Sequence, residues 1–572
     1  MSNVCSCISF KEQLEYLRVS SKGAVVDGNI ALDDPVKTYL HVTRKVEREL
    51  ETLLEAVSNN SSPQLVLLIG NVGDGKSHLL ANLKRVKPDL MARFQIHNDA
   101  TASFNKSQTY LDVLDNLLVP FRDENTETTP QKIILAINLG TLANFLEDRG
   151  DKYKELKEFI TKKGIFSESI QDNGKYASNS LFQFINLTDY HLFSLTSDGP
   201  SSHIIRELLD RITARNTTNP FYNAYLNYYK SNEWTSKCPI KFNYEFIMQE
   251  RVKEQLSKII AEAIIRGKMV VSIRALLNFF YDALVPVALA SLSNSEYEKY
   301  VKGITPESYL SMILPNYIFE NPDVSDIFGA LYKLDPIILC AEEEDILLLN
   351  SAITRNLDRF SLISNCVYAK SCLENSTYSG AVKSFPRLLF FESGQGFSNL
   401  FMEYSRQLYH FLKGDRNSIK KLFEDTINAL RQWNGAVDKT SKHINLTTGY
   451  TQSQYRMSTE IALSLDTGKI KPVDGEILEK FTFFFPLYFK GLEIPLKIDF
   501  ELYSLLKMIS KGYIPNYLDK RNHINVQRFI DRAIAEHGNR KFLCIKETHP
   551  TAARKFELKV DDWNDFSFEE IQ

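Results

Sequence analysis

The run Gly70-Asn71-Val72-Gly73-Asp74-Gly75-Lys76-Ser77 fits G-x4-G-K-[ST], the Walker A or phosphate-binding-loop pattern. Each residue type meets a physical need. Glycines let consecutive backbone amides curl around a phosphate chain without side-chain clash. A helix starting at the lysine points its unsatisfied amides and its positive dipole end at the same phosphates. Lys76 reaches the β- and γ-phosphates as a compact charge, and the Ser77 hydroxyl ligates Mg2+. The stretch from Gly70 to His78 is the candidate binding loop for a nucleoside triphosphate and Mg2+. The plainer alternative is a glycine-rich strand-to-helix turn with a solvated lysine.

Such a loop needs a buried strand before it and an amphipathic helix after it. QLVLLIG (64–70) is a continuous apolar run ending in glycine, the pattern of a strand covered on both faces. Leu79, Leu80 and Leu83 give the following helix an apolar side. Further strands are expected at 93–97, 132–138 and 181–187, separated by helical stretches, which predicts a parallel α/β sheet. Ahead of the loop, Asp33, Asp34 and Pro35 mark a helix start. Leu40, Val46, Leu50, Leu53, Leu54 and Val57 carry that helix's apolar stripe onward to the loop at 58–63. Residues 200–290 read as helical, 300–440 as mainly helical, and the chain beyond Trp433 as mixed strands and helices with a hairpin near His549–Ala553.

Hydrolysis needs more than the loop: an Asp to order Mg2+ and a Glu to polarise water, both at the end of a buried strand. Strand 132–138 ends instead in Asn138, at the place of that acid. The fourth strand ends in Asn186, with Thr188 and Asp189 just beyond, and Asp99 follows the second. Asn186 resembles a sensor-1 residue, which holds the attacking water. The pattern is a degenerate Walker B, with Asp99 or Asp189 as replacements for metal contact, or simply as capping residues at strand ends. Ser272-Ile-Arg274-Ala-Leu-Leu resembles the sensor-2 helix of AAA+ ATPases, in which a lid arginine touches the γ-phosphate. The competing reading is a surface arginine on a core helix. Arg206 and Arg211 lie where AAA+ proteins supply an arginine finger, or they pair with Glu207 and Asp210 on a solvated helix.

Composition narrows the rest. The chain has 572 residues, 44% hydrophobic and 24% charged, with a net charge of −3, so a nucleic-acid surface has to be a local patch. Residues 511–560 hold eleven Lys or Arg against five Asp or Glu, and the last twelve residues carry five acids and no base. This is either a DNA-phosphate patch beside a competing tail or a mutually neutralised surface. Glu557-Leu-Lys559 faintly resembles a nuclease E-x-K, without an acidic partner at suitable spacing. Seven scattered cysteines, no CxxC, no membrane-length apolar run and no secretory signal point to a cytoplasmic protein. The ten histidines form no HExxH, and no G-x-S-x-G elbow occurs.

In order along the chain, GNVGDGKSHLL, KIILAINLGTLANFLE, FINLTDYHLF, SIRALLNFFYDAL and the Trp433 region resemble the DptF family, the P-loop ATPase subunit of bacterial DNA phosphorothioation-dependent restriction systems. The resemblance implies ATP as the nucleotide. It also implies a role in antiviral defence, companion G and H restriction subunits, and DNA reached directly or through them, and it leaves a homo-oligomer open. It carries Gly70, Gly75, Lys76 and Ser77 over as site residues, with Asn138, Asn186 and Arg274 in second rank.

The expected fold is an α/β P-loop, AAA+-like core over 36–200 behind an N-terminal segment 1–35. A helical lid over 201–295, a mainly helical domain over 296–435 and a mixed α/β domain over 436–572 are expected to follow. The expected function is an ATP-hydrolysing restriction subunit. The alternatives are a signalling ATPase with slow turnover and a nucleotide-binding scaffold that no longer hydrolyses.

Overall fold

A computed structural model describes residues 9–18, 35–71, 73–98, 109–124, 131–166, 173–229, 233–339, 357, 360–394, 398–435, 442–446, 455–538, 542–547, 554–561 and 563–571. Two compact units divide the chain. The first comprises 1–194, 200–397 and 479–481; the second comprises 195–199, 398–478 and 482–572.

In the first unit, α1 (Phe10–Leu14) starts at a capping box, Ser9 with Glu12, and buries Phe10 edge-on against Tyr225, Tyr229 and Tyr244. The helix expected to run unbroken from Pro35 to Val57 is two helices, α2 (Pro35–Tyr39) and α3 (Lys45–Ser58), with 41–44 non-helical between them. Arg44 takes the N-cap position of α3 in extended backbone (φ −97, ψ 159), and its side chain makes no cap bond. Its guanidinium goes to the Asp74 carbonyl instead.

β1 (Gln64–Ile69) leads through the loop into α4 (Lys76–Val86), and β2 (Gln95–His97), β3 (Lys132–Ile137) and β4 (Phe182–Asn186) complete an all-parallel sheet in the order β2-β3-β1-β4. β1 is buried along its whole length because both faces are covered. Leu65, Leu67 and Ile69 pack with Leu114, Leu142, Phe145 and Phe184 on one face. Val66 and Leu68 pack with Leu50, Leu54, Leu80 and Leu83 of α3 and α4 on the other. The two-residue alternation of a strand therefore feeds two separate cores. The chain leaves β1 toward β2, whereas the connection from β3 crosses to β4 on the opposite side of β1. Neighbouring strands sending their connections in opposite directions open a crevice at their carboxyl ends. Gly70 and Asn138 follow those two ends, and the Gly70 N–H donates to Ile137 O at 3.2 Å.

The remaining described residues of this unit are mainly helical, including His203–Thr213, Pro239–Ile247, Glu250–Gly267 and Ile273–Leu284. The second unit holds a five-stranded antiparallel sheet in the order Phe566–Ile571, Lys555–Val560, Phe542–Glu547, Tyr455–Glu460, His443–Asn445, together with helices such as Asn399–Leu412 and Phe500–Ser510. The expected C-terminal hairpin is the pair Phe542–Glu547 and Lys555–Val560; its connection lies outside the described residues. The apolar run 480–489, read as one strand, contributes only Phe485–Leu487. Its start, 479–481, belongs to the first unit, where Lys480 has its partners. Among the described residues, no helix is long and apolar enough to cross a membrane.

Candidate functional site

The loop between β1 and α4 turns on two glycines in left-handed backbone, Gly73 (φ 93) and Gly75 (φ 90). Residues with a Cβ are strained there. Asp74, 6% exposed, folds back so that its Oδ2 accepts the Asn71 N–H at 2.6 Å. Burial raises its carboxyl above the ordinary value, opposed by the Asn71 amide, Lys76 and Arg44. Lys76 donates from Nζ to Gly70 O (2.6 Å) and Asn71 O (2.9 Å), so its ammonium lies across the loop. The first i→i−4 bond of α4 is Leu79 N–H to Gly75 O at 2.8 Å. The amides of Lys76, Ser77 and His78 lie ahead of it, where a helix start can take an anion. Val72 and Asp99 lie outside the described residues.

Two elements close on this loop. From one side come Ser272 and Arg274, at the start of helix Ile273–Leu284. Ser272 caps that helix by accepting the Ala275 N–H at 3.1 Å. A Cβ on Gly73 would stand 3.1 Å from Ser272 Oγ and 3.5 Å from Arg274 Cδ, so the expected lid arginine does reach the loop. Arg274 is exposed.

From the other side comes the segment 41–44, which sequence reasoning placed inside a helix and did not single out. His41 Nδ1 is 2.9 Å from His78 Nε2, and Arg44 Nη2 donates to Asp74 O at 3.0 Å. His41 also pairs through Nε2 with Glu47 at 3.3 Å. Arg44, Asp74, Thr188, Tyr190, His191 and Ser272 supply the polar lining of a small cavity beside the loop, of about 30 Å3, with Leu187, Phe193 and Ile273 among its apolar walls. That space suits an ordered water.

The strand-end residues are committed to local bonds. Asn138 sits beside the loop, as expected of the acid's place, but its Oδ1 accepts the Thr141 N–H at 2.7 Å and caps the helix Leu139–Arg149. Asn186, which pairs with Ile69 at the end of β1, accepts from Thr188 N–H (3.2 Å) and Oγ1 (2.8 Å) and donates to Asp189 Oδ1 (3.1 Å). Asn173 clamps the same turn, giving Nδ2–H to Asp189 Oδ2 at 2.9 Å and accepting the Asn186 N–H at 2.8 Å. Burial pushes the Asp189 carboxyl up to about 6, against the Asn173 hydrogen bond and the Lys480 charge. Lys480 donates to Asn173 O (2.9 Å) and Glu49 (2.8 Å) and lies 4.4 Å from the Tyr190 ring centre. Asn173 and Lys480 are far from the motifs in sequence, and no local pattern marks them.

The remaining candidates are placed as follows. Arg206 pairs with Asp210 and Glu250, and Arg211 with Glu207 (2.9 Å) and the Tyr39 carbonyl (2.7 Å). Glu557 and Lys559 pair with each other at 3.2 Å, and Lys559 also with Glu569 at 3.4 Å.

Compared with known proteins, the chain matches no family model, and no curated protein or solved structure is significantly similar to it.

Proposed function

We propose that the chain binds ATP with Mg2+ at Gly70–Ser77 and acts as the ATPase subunit of a phosphorothioation-dependent DNA restriction complex. One conjunction carries the nucleotide reading: left-handed Gly73 and Gly75, Lys76 laid across the loop and an open helix start, at the carboxyl end of a central parallel strand. A structural strand-to-helix turn would give no reason for Ser272 and Arg274 to close over Gly73. In this reading Lys76 exchanges its two carbonyl partners for phosphate oxygens. Among the described residues no cluster of three His, Cys, Asp or Glu side chains is arranged to hold a metal. In this reading Ser77 and the phosphates would hold Mg2+, which neutralises phosphate charge. Arg274 brings the lid onto the γ-phosphate, and that movement passes to a companion subunit or to DNA. The restriction role and the G and H partners rest on the resemblance to the DptF family, and the cytoplasmic setting rests on the scattered cysteines and the composition.

One observation favours a second reading, a nucleotide-bound scaffold or slow switch. Asn138, Asn186 and Asp189 are all held in local hydrogen bonds, and β3 ends without an acid. Steady-state turnover with and without duplex DNA and companion subunits separates the two. DNA- or partner-stimulated hydrolysis, abolished in a folded Lys76→Ala variant, supports the ATPase. Tight binding without turnover supports the scaffold. Turnover unchanged by Lys76→Ala removes the loop from the mechanism, and degradation of unmodified DNA by this chain alone contradicts the division of labour.

A further inference from the structure

Arg44 acts on the phosphate-binding loop from behind. Its Nη2 donates to the Asp74 carbonyl at 3.0 Å and lies 3.4 Å from where a Cβ on Gly75 would stand. In a planar trans peptide, C=O and N–H point in opposite directions. The bond that draws the Asp74 carbonyl toward Arg44 therefore turns the Gly75 N–H away from it. The next peptides lead directly into the amides of Lys76, Ser77 and His78. The Gly70–Asn71 peptide at the start of the loop is fixed as well, because the Asp74 carboxylate accepts the Asn71 N–H at 2.6 Å. The loop is thus clamped at both ends of Asp74, by its side chain and by its carbonyl.

The guanidinium is largely enclosed, and burial pulls it below its ordinary value against the nearby Asp74 and Glu47 carboxylates. A cation on a carbonyl in such surroundings polarises the peptide and makes its N–H a stronger donor. A residue needed only to start α3 would be Ser, Thr, Asp or Asn. Arginine at that position makes no cap bond and reaches the loop instead.

We propose that Arg44 is a positioning residue of the nucleotide site, one that orients and polarises the Asp74–Gly75 peptide so that the Gly75 amide serves as a phosphate donor. This rests on the P-loop reading above. It places the effect on the polyphosphate and not on the base, and it requires a cation and not merely a side chain that fills space.

The test uses the full-length chain, with Arg44→Met and Arg44→Lys beside wild type and Lys76→Ala. Inorganic pyrophosphate and ATP are the probes, read by calorimetry and by ligand-induced shift of the unfolding midpoint. Arg44→Met should weaken both probes roughly 10- to 100-fold, as expected for loss of a charge-assisted contact. Arg44→Lys should recover most of that loss. Midpoints are compared with each variant's own ligand-free value, so a purely structural defect does not mimic the result. Affinity within twofold of wild type in Arg44→Met overturns the proposal, and so does equal impairment of the Met and Lys variants. If wild type binds neither probe, or Lys76→Ala binds both unchanged, the P-loop reading itself fails and this one falls with it.

Discussion

Gly73 and Arg274 meet across the candidate site: a methyl group on the glycine would lie 3.5 Å from the arginine Cδ. The contact joins the loop to the start of the helix Ile273–Leu284. It makes the loop's conformation and that helix's position interdependent.

Gly73→Ala should therefore act twice. The left-handed backbone (φ 93) resists any Cβ at a cost of roughly 1–2 kcal/mol, and the methyl would press on Ser272 Oγ at 3.1 Å. The expected result is weaker ATP binding together with a lower unfolding midpoint. Arg274→Ala should leave ATP affinity nearly intact and reduce turnover and complex formation. If Arg274→Ala equals wild type in all three measurements, the lid switch is wrong.

Asp189 gives a pH signature. Its folded carboxyl is raised to about 6, chiefly by burial, from an unfolded value near 4. The folded state then binds more protons than the unfolded state between those values, so stability falls as pH rises through that window and levels off above it. Asp189→Asn should flatten this part of the stability curve, measured by denaturant unfolding from pH 4 to 7. An unchanged slope would mean that Asp189 is not enclosed as described.

Lys480→Met should destabilise the first unit by about 1–3 kcal/mol, because Glu49 and the Asn173 carbonyl lose their charged donor in a partly buried setting. Urea unfolding of Lys480→Met and of Glu49→Gln/Lys480→Met together checks it. The double variant should recover part of the loss, since the carboxylate that has lost its nearest cation is then replaced by a neutral amide.

Leu67 lies at the centre of β1 with 0% exposure, in the core shared with Phe145 and Phe184. Leu67→Ala should cost about 2–5 kcal/mol. A loss below 1 kcal/mol in denaturant unfolding would argue against a strand covered on both faces.

Much of this was legible from local chemistry. QLVLLIG announced a doubly covered strand, and the glycine loop announced a helix start, because both depend on near neighbours in sequence. The break at 41–44 was hidden. No proline or glycine marks it. Arg44, the residue that ends it, has its partner in Asp74, thirty residues on. The same limit applies to Asn173 and Lys480: their partners are brought together by the fold, and their own neighbourhoods carry no sign of it. Strand ends misled in a subtler way. Asn138 reads as a stand-in for a catalytic acid, yet its spacing to Thr141 equally suits an N-cap, and the cap is the bond it makes.

The first unit borrows three residues, 479–481, from beyond much of the second unit's sequence. Its gene cannot be cut into two independent cassettes. A stop codon anywhere between 398 and 478 would leave a protein with every residue of the phosphate-binding loop and no Lys480 for Glu49. Natural or engineered exchange of the C-terminal half would carry that lysine along with it. Recombination that swaps the later segment must therefore supply a matching cation at this one place, or Glu49 of the first unit keeps Tyr190 and Lys45 but loses its nearest cation.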